Sequence, residues 1–160
     1  VDINQPILLV CETDTAEESV MRLARIGYEK VLGYLEGGFE AWEKANYAED
    51  EVESVSADEL QQLMEENPEA ILLDVRKESE FANSHMVGAT HIPLAELQAR
   101  RHDFEPDRKY IVYCGGGYRS MIAVSLLKIF GVDKPTNVHG GFAAIQNTEG
   151  ISVAARTATI

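Results

Sequence analysis

Cysteine is scarce in this 160-residue sequence: there are two, Cys11 and Cys114, 103 positions apart. Such a pair builds neither a disulfide framework nor a CxxC metal-binding pattern, and reduced thiols in a cytoplasmic setting are the expectation. Cations are scarce too. Fourteen Lys and Arg face 27 Asp and Glu, a formal charge of -13, and a surface of that sign repels phosphate backbones and anionic lipid heads. That argues against nucleic acid and membranes as partners. The longest apolar run, Met121 to Phe130, is broken by Ser125 and Lys128 and falls short of the roughly 20 residues of a bilayer span. The first residue is Val1, with no basic-then-apolar leader behind it to suggest signal cleavage. What the chain does have, 45% hydrophobic and 26% charged residues, suffices for one good core or two small ones.

It also has an internal repeat. Pro6-Ile-Leu-Leu-Val-Cys11 is an apolar run ending in Cys, and Lys109-Tyr-Ile-Val-Tyr-Cys114 is another. Twenty-six residues after each cysteine comes a Gly-Gly-Phe: Gly37-Gly38-Phe39-Glu40-Ala41 and Gly140-Gly141-Phe142-Ala143-Ala144. Between these anchors each copy reads as strand, loop, helix, strand, turn. In the first, Thr15-Ala-Glu-Glu18 has a capping-box pattern and Val20, Leu23, Ala24 and Gly27 follow at helical spacing. In the second, Ser120 to Phe130 is apolar on nearly every side, which predicts a sandwiched helix stopped by Gly131. β-Branched apolar runs feeding helices of about ten residues are the pattern of βαβ units around a parallel sheet.

The copies differ upstream. Ahead of Cys114 the sequence predicts a helix capped at Ser56-Ala-Asp-Glu59 and closed by Pro68, a strand at Ala70 to Asp74, the segment Gly88 to Pro93, and a helix near Leu94 to Arg101. Ahead of Cys11 there are ten residues. The expected organisation is therefore a βαβ half-domain over residues 1–48, an acidic linker over 49–55, and a complete α/β domain over 56–160. Val1 is expected to be an interior residue of a longer protein.

The chemistry concentrates in Cys114-Gly115-Gly116-Gly117-Tyr118-Arg119-Ser120, between a strand and a helix N-terminus. Three glycines permit backbone angles that turn amide N–H groups inward around one point. The helix dipole and the Arg119 guanidinium add positive potential. Each effect favours a thiolate, which makes Cys114 a candidate nucleophile. The first copy offers Cys11 a different loop, Glu12-Thr-Asp-Thr-Ala-Glu-Glu18, with four carboxylates and neither glycine nor arginine. Negative neighbours raise a thiol pKa, so Cys11 is expected to be a small packed residue and not a sulfur carrier. His85, His91, His102 and His139 form no pair of ligands at i and i+4 and are expected to be hydrogen-bonding scaffold residues, with no metal site.

The Cys-x4-Arg loop, Asp74-Val-Arg76 with Glu80-Phe81, His85-Met-Val-Gly88-Ala89-x-His91-Ile92-Pro93, and Gly140-Gly141-Phe142 together resemble the rhodanese sulfurtransferase domain. The resemblance implies a three-layer α/β domain whose five-stranded parallel sheet carries the cysteine loop at its carboxyl edge, where open α/β sheets bind ligands. It implies that Cys114 takes a sulfane sulfur from a donor, holds it as a persulfide and passes it to a thiol or cyanide, with no cofactor. Gly115 to Ser120 would bind the sulfur or an anion, and Asp74, Arg76 and Glu80 would give structural support by pairing among themselves or with the backbone. Tyr118 stays open between gating the donor and simple packing. Related domains that act on phosphate or arsenate carry one more residue between Cys and Arg, which ranks phosphatase or arsenate reductase chemistry below sulfur transfer. A non-catalytic binding or regulatory module is the other alternative. A degenerate copy followed by an intact one resembles the C-terminal part of proteins that join a metallo-β-lactamase-fold persulfide dioxygenase to rhodanese domains. The expected partners are then a small-molecule sulfur donor, a thiol acceptor and such an upstream domain.

Overall fold

A computed structural model describes residues 2–155; Val1 and the last five residues of the expected 56–160 domain lie outside the described residues. Contacts divide the chain into two compact units, Val1–Asp50 and Glu51–Ile160. In the first, β1 (Ile7–Leu9) and β2 (Val31–Tyr34) pair in parallel, joined through α1 (Ala16–Arg25) and followed by α2 (Gly38–Lys44). This is the βαβ pattern read from the sequence. The capping box at Thr15 does not form. A 3-10 turn, Thr13–Thr15, precedes the helix, and the Thr15 hydroxyl donates back to the Glu12 carbonyl at 2.9 Å instead of accepting from the first turn.

The second unit begins with β3 (Ser54–Val55), α3 (Ala57–Glu66), β4 (Ile71–Asp74), α4 (Glu78–Asn83), β5 (Ser84–Met86) and β6 (Thr90–His91). It continues with β7 (Tyr110–Tyr113), α5 (Tyr118–Ile129), β8 (Thr136–Val138), α6 (Gly141–Ile145) and β9 (Val153–Ala155). Five of these strands form one parallel sheet in the order β3-β8-β7-β4-β6, while β5 and β9 pair antiparallel beside it. Ser56 starts α3 with a complete capping box: Glu59 N–H donates to the Ser56 hydroxyl, and Ser56 N–H donates to the Glu59 carboxylate. The helix closes at Asn67, which leaves the helical region because Pro68 follows.

Every residue of the central strand β7 is buried, because helices cover both faces of the sheet. Alternation sorts its side chains into two clusters. Tyr110, Val112 and Cys114 join Leu73, Val75, Ala123, Val124 and Leu127 on the α5 side. Ile111 and Tyr113 join Leu60, Leu72, Val138, Phe142 and Ile145 on the α3 and α6 side. The cysteine that follows β7 is thereby aimed at the first turn of α5.

Three expectations change. The acidic stretch 49–55 is not linker throughout: Ser54 and Val55 pair with Asn137 and Val138 at the sheet edge, and Glu53 holds Lys109 and the Thr136 hydroxyl. Leu94 to Arg101 forms no α-helix. Two 3-10 turns, Leu94–Glu96 and Arg101–Asp103, frame it, since Leu97 is the one side chain between Leu94 and Arg101 that the core fully buries and no helical stripe draws further turns inward. Helix α5 is not sandwiched either. Ser120, Ala123, Val124 and Leu127 pack inward, whereas Met121, Ile122 and Ile129 are exposed. Among the described residues no helix is long and apolar enough to cross a membrane.

Leu127 is fully buried between α5 and the sheet. Leu127→Ala is expected to lower the unfolding free energy by about 2–5 kcal/mol, read from urea denaturation followed by circular dichroism.

Candidate active site

Strand β7 ends at Tyr113, and the chain turns through Cys114 to Gly117 before α5 begins at Tyr118. Cys114 is 1% exposed. Its Sγ accepts a hydrogen bond from the Gly117 N–H at 3.2 Å and another from the Ser120 hydroxyl at 3.4 Å. The carbonyls on the outer side are held separately. Phe142 N–H donates to the Cys114 carbonyl at 2.6 Å and Ala143 N–H to the Gly115 carbonyl at 3.0 Å. A peptide whose carbonyl is tied outward presents its amide inward, so the first turn of α6 orients the loop around the sulfur. Gly141 allows this approach: it has a φ of +55°, and a Cβ there would run into the Cys114 carbonyl.

Burial raises the Cys114 thiol, but the Ser120 hydroxyl and the amides of Ser120, Gly117 and Gly116 act against it and leave the thiol below its ordinary value. Ser120 also contacts the Gly117 carbonyl at 2.9 Å. One hydroxyl proton serves one acceptor at a time, so thiolate formation favours turning it to sulfur.

The three glycines differ in what their positions demand. Only Gly117 has a positive φ, +98°. A Cβ on Gly115 would stand 2.9 Å from Arg119 Nη2, whereas one on Gly116 would meet nothing within 4 Å. The expectation that all three supply unusual backbone angles is thus met at one position.

Arg119 differs from the sequence reading. Its guanidinium grips Glu80 through both oxygens, at 2.6 and 2.8 Å. Hydrogen bonding from Arg119 outweighs burial and holds the Glu80 carboxyl down at about 2, and Glu80 in turn raises Arg119. Glu80 is therefore not the partner of Asp74 and Arg76. The guanidinium charge shares its field between carboxylate and sulfur, and the amides and Ser120 carry most of the stabilisation of the thiolate.

Asp74 and Arg76 pair with each other, buried, through Nε at 3.0 Å and Nη2 at 2.6 Å. Arg76 also donates to the Ser84 carbonyl and lies 4.0 Å over the Phe142 ring. The pair thus ties the end of β4 to β5 and to the helix that holds the loop. Phe81 stacks between His85 and His91, at 3.9 and 4.3 Å. His85 contacts the Phe81 carbonyl, and His91 contacts the Arg76 carbonyl and Glu78. His139 donates its backbone N–H to Val55, and His102 lies in the turn Arg101–Asp103. Among the described residues no three His, Cys, Asp or Glu are grouped to hold a metal ion. Tyr118 is 80% exposed on the rim of the loop, which leaves it unpacked.

The first unit keeps the scaffold of this arrangement without the cradle. A Cβ on Gly38 would stand 2.9 Å from the Cys11 carbonyl, the same close approach as at Gly141. Cys11 is free and partly exposed, with Glu12 and a 3-10 turn in place of the glycine loop.

The Rhodanese-like domain family model matches residues 1–45 and 56–148. The protein YqhL of Bacillus subtilis is 37% identical over 73 residues, 46% of this chain and 58% of that protein, so the match spans just over half of that relative. A sulfurtransferase of Allochromatium vinosum is 27% identical over 58% of this chain and 87% of its own length. The crystal structure of a rhodanese-like domain protein from Staphylococcus aureus superposes with a TM-score of 0.57 at 30% identity, over 65% of this chain and all of that one.

Alkylation of Cys114 followed against pH is expected to reach half its limiting rate below the roughly 8.5 of an ordinary thiol, and Ser120→Ala should move that midpoint upward. Glu80 gives a second test. Its folded pKa is depressed, so its contribution to stability is present above the ordinary value of 4.5 and is lost as pH falls from there toward about 2. In Glu80→Gln the loss of stability over that window should be shallower than in the parent chain, as measured by thermal melts across pH.

Proposed function

Because the chain belongs to the Rhodanese-like domain family, we propose that its second unit is a sulfurtransferase working through Cys114. The observation that carries this reading is a buried sulfur with the Gly117 amide and the Ser120 hydroxyl aimed at it. The Cys114 thiolate attacks the sulfane sulfur of a donor; the donor's S–S bond breaks and its electron pair leaves with the departing group, sulfite from thiosulfate or a thiolate from a persulfide. Cys114 then carries the extra sulfur as a persulfide anion, whose charge the loop amides stabilise as they did the thiolate. An acceptor thiolate or cyanide attacks that outer sulfur and Cys114 returns to the thiolate. The balance needs no oxidant and no cofactor.

A phosphatase or arsenate reductase would want a protonated acid at the loop for the leaving group. The carboxylate joined to the loop is Glu80, ionised and committed to Arg119. A binding or regulatory module would use the same fold without turnover, but the lowered Cys114 thiol favours catalysis. Cys11 is read as inactive, since its loop lacks the glycines and the arginine. Two unpaired cysteines fit a reducing, cytoplasmic setting. A half-copy followed by a complete copy supports a place within a larger sulfide- or persulfide-metabolising protein, of the kind that joins a metallo-β-lactamase-fold domain to rhodanese domains.

Incubation with thiosulfate or glutathione persulfide is expected to add one sulfur atom to the intact mass, and Cys114→Ser to abolish the gain while Cys11→Ser keeps it. Absence of an adduct with both donors would sink the proposal.

A further inference from the structure

Glu80 reaches the cysteine loop from α4, and its two oxygens accept from both terminal nitrogens of Arg119, at 2.6 and 2.8 Å. A Cβ on Gly115 would stand 2.9 Å from Arg119 Nη2 and 3.6 Å from Glu80 Oε1, so the ion pair as a whole lies against the residue after Cys114. Hydrogen bonding to Glu80 raises Arg119 against the opposing burial, and the Cys114 sulfur raises it further. One guanidinium thus serves a carboxylate and a sulfur, and the carboxylate holds the larger part.

Few other charges act there. Asp74 and Arg76 are bound to each other at the end of β4, and Arg76 adds a weaker pull on Glu80. Lys77 is exposed and gives Glu80 its backbone N–H at 3.1 Å. The first turn of α5 brings Arg119, the Ser120 hydroxyl and the exposed Tyr118 phenol, while α6, Gly141–Ile145, carries no titratable side chain. Tyr113, just before the cysteine, packs in the cluster on the opposite face of the sheet.

A sulfur-transfer cycle asks two opposed things of Cys114. Its sulfur attacks a donor better when the thiolate is more basic, and leaves the outer sulfur better, when an acceptor attacks, if the thiol is more acidic. An unshared guanidinium on the sulfur would help departure at the expense of attack. We infer that Glu80 is a positioning residue that sets this balance: by engaging Arg119 it keeps most of the guanidinium charge off the sulfur, so that the loop amides and Ser120 hold a thiolate that still attacks. This rests on the sulfurtransferase reading and adds to it the residue that tunes the nucleophile.

The test uses the whole chain with Cys11→Ser, so that Cys114 is the one thiol present, and methyl methanethiosulfonate, a small uncharged probe that an altered site charge does not draw in. The Cys114 thiolate attacks the methylthio sulfur, the S–S bond breaks, and methanesulfinate leaves with the electron pair, adding one methylthio group to the intact mass. In Glu80→Gln the midpoint of the rate against pH should move down. For each tenfold gain in acidity the rate above the midpoint should fall about threefold and the rate well below it rise about threefold, so the two profiles cross. Arg119→Gln, which leaves the carboxylate beside the sulfur without its partner, should move the midpoint up. Removing both charges together should return it toward the parent value. A Glu80 that only holds the shape of the loop would instead give a lower rate at every pH, an unmoved midpoint, and a double variant no better than the single one. That result overturns the assignment, and if the parent chain takes sulfur from glutathione persulfide the sulfurtransferase reading stands without it. No uptake by the parent from glutathione persulfide or thiosulfate removes both.

Discussion

Two hydrogen bonds at the start of α6 decide what the cysteine loop can do. Phe142 and Ala143 hold the carbonyls of Cys114 and Gly115, and those carbonyls can be held only because Gly141 has no side chain to keep the backbones apart. With the carbonyls fixed on one side, the following amides face the sulfur on the other. The buried Asp74–Arg76 pair reinforces this by placing a guanidinium against the Phe142 ring, so the end of β4 is in contact with the holding helix. A buried pair is weak evidence for stability by itself; what the structure shows of this one is the set of groups it joins.

The electrostatics follow from that geometry. A sulfur with almost no exposure should resist ionisation, and burial does push Cys114 up. Oriented dipoles offset the effect because they are already aligned and need no reorganisation when charge appears. A bare arginine beside the sulfur would have done the same work less selectively, attracting any anion. Gripped by Glu80, Arg119 instead keeps the site close to neutral while its donors remain at the loop.

Local patterns told much of this in advance. The Ser56–Glu59 capping box and the strand-loop-helix setting of Cys114 depend on neighbours in sequence, the 26-residue spacing to each Gly-Gly-Phe shows because it occurs twice, and the structure has all three in place. The spacing repeats because Gly38 and Gly141 meet the same backbone carbonyl in their own units. The Glu80–Arg119 pair was out of reach: the partners are 39 positions apart, and Arg76 stands far nearer to Glu80 in sequence. The open face of α5 was hidden for a related reason. An apolar helix states what it would bury, not what arrives to cover it, and Ile122 and Ile129 are exposed. At Leu94 to Arg101, Leu97 alone is fully buried, with Leu94 packed partly against the core, too little to hold an α-helix.

The three loop glycines therefore leave one position at liberty. Gly117 is bound by its backbone angle and Gly115 by the Arg119 side chain, but Gly116 faces open space in an ordinary conformation. A side chain there would stand at the mouth and leave the amides where they are. The cradle and its entrance are thus separable in sequence, and members of a lineage built on this loop could change what they admit by a single substitution without rebuilding the chemistry underneath.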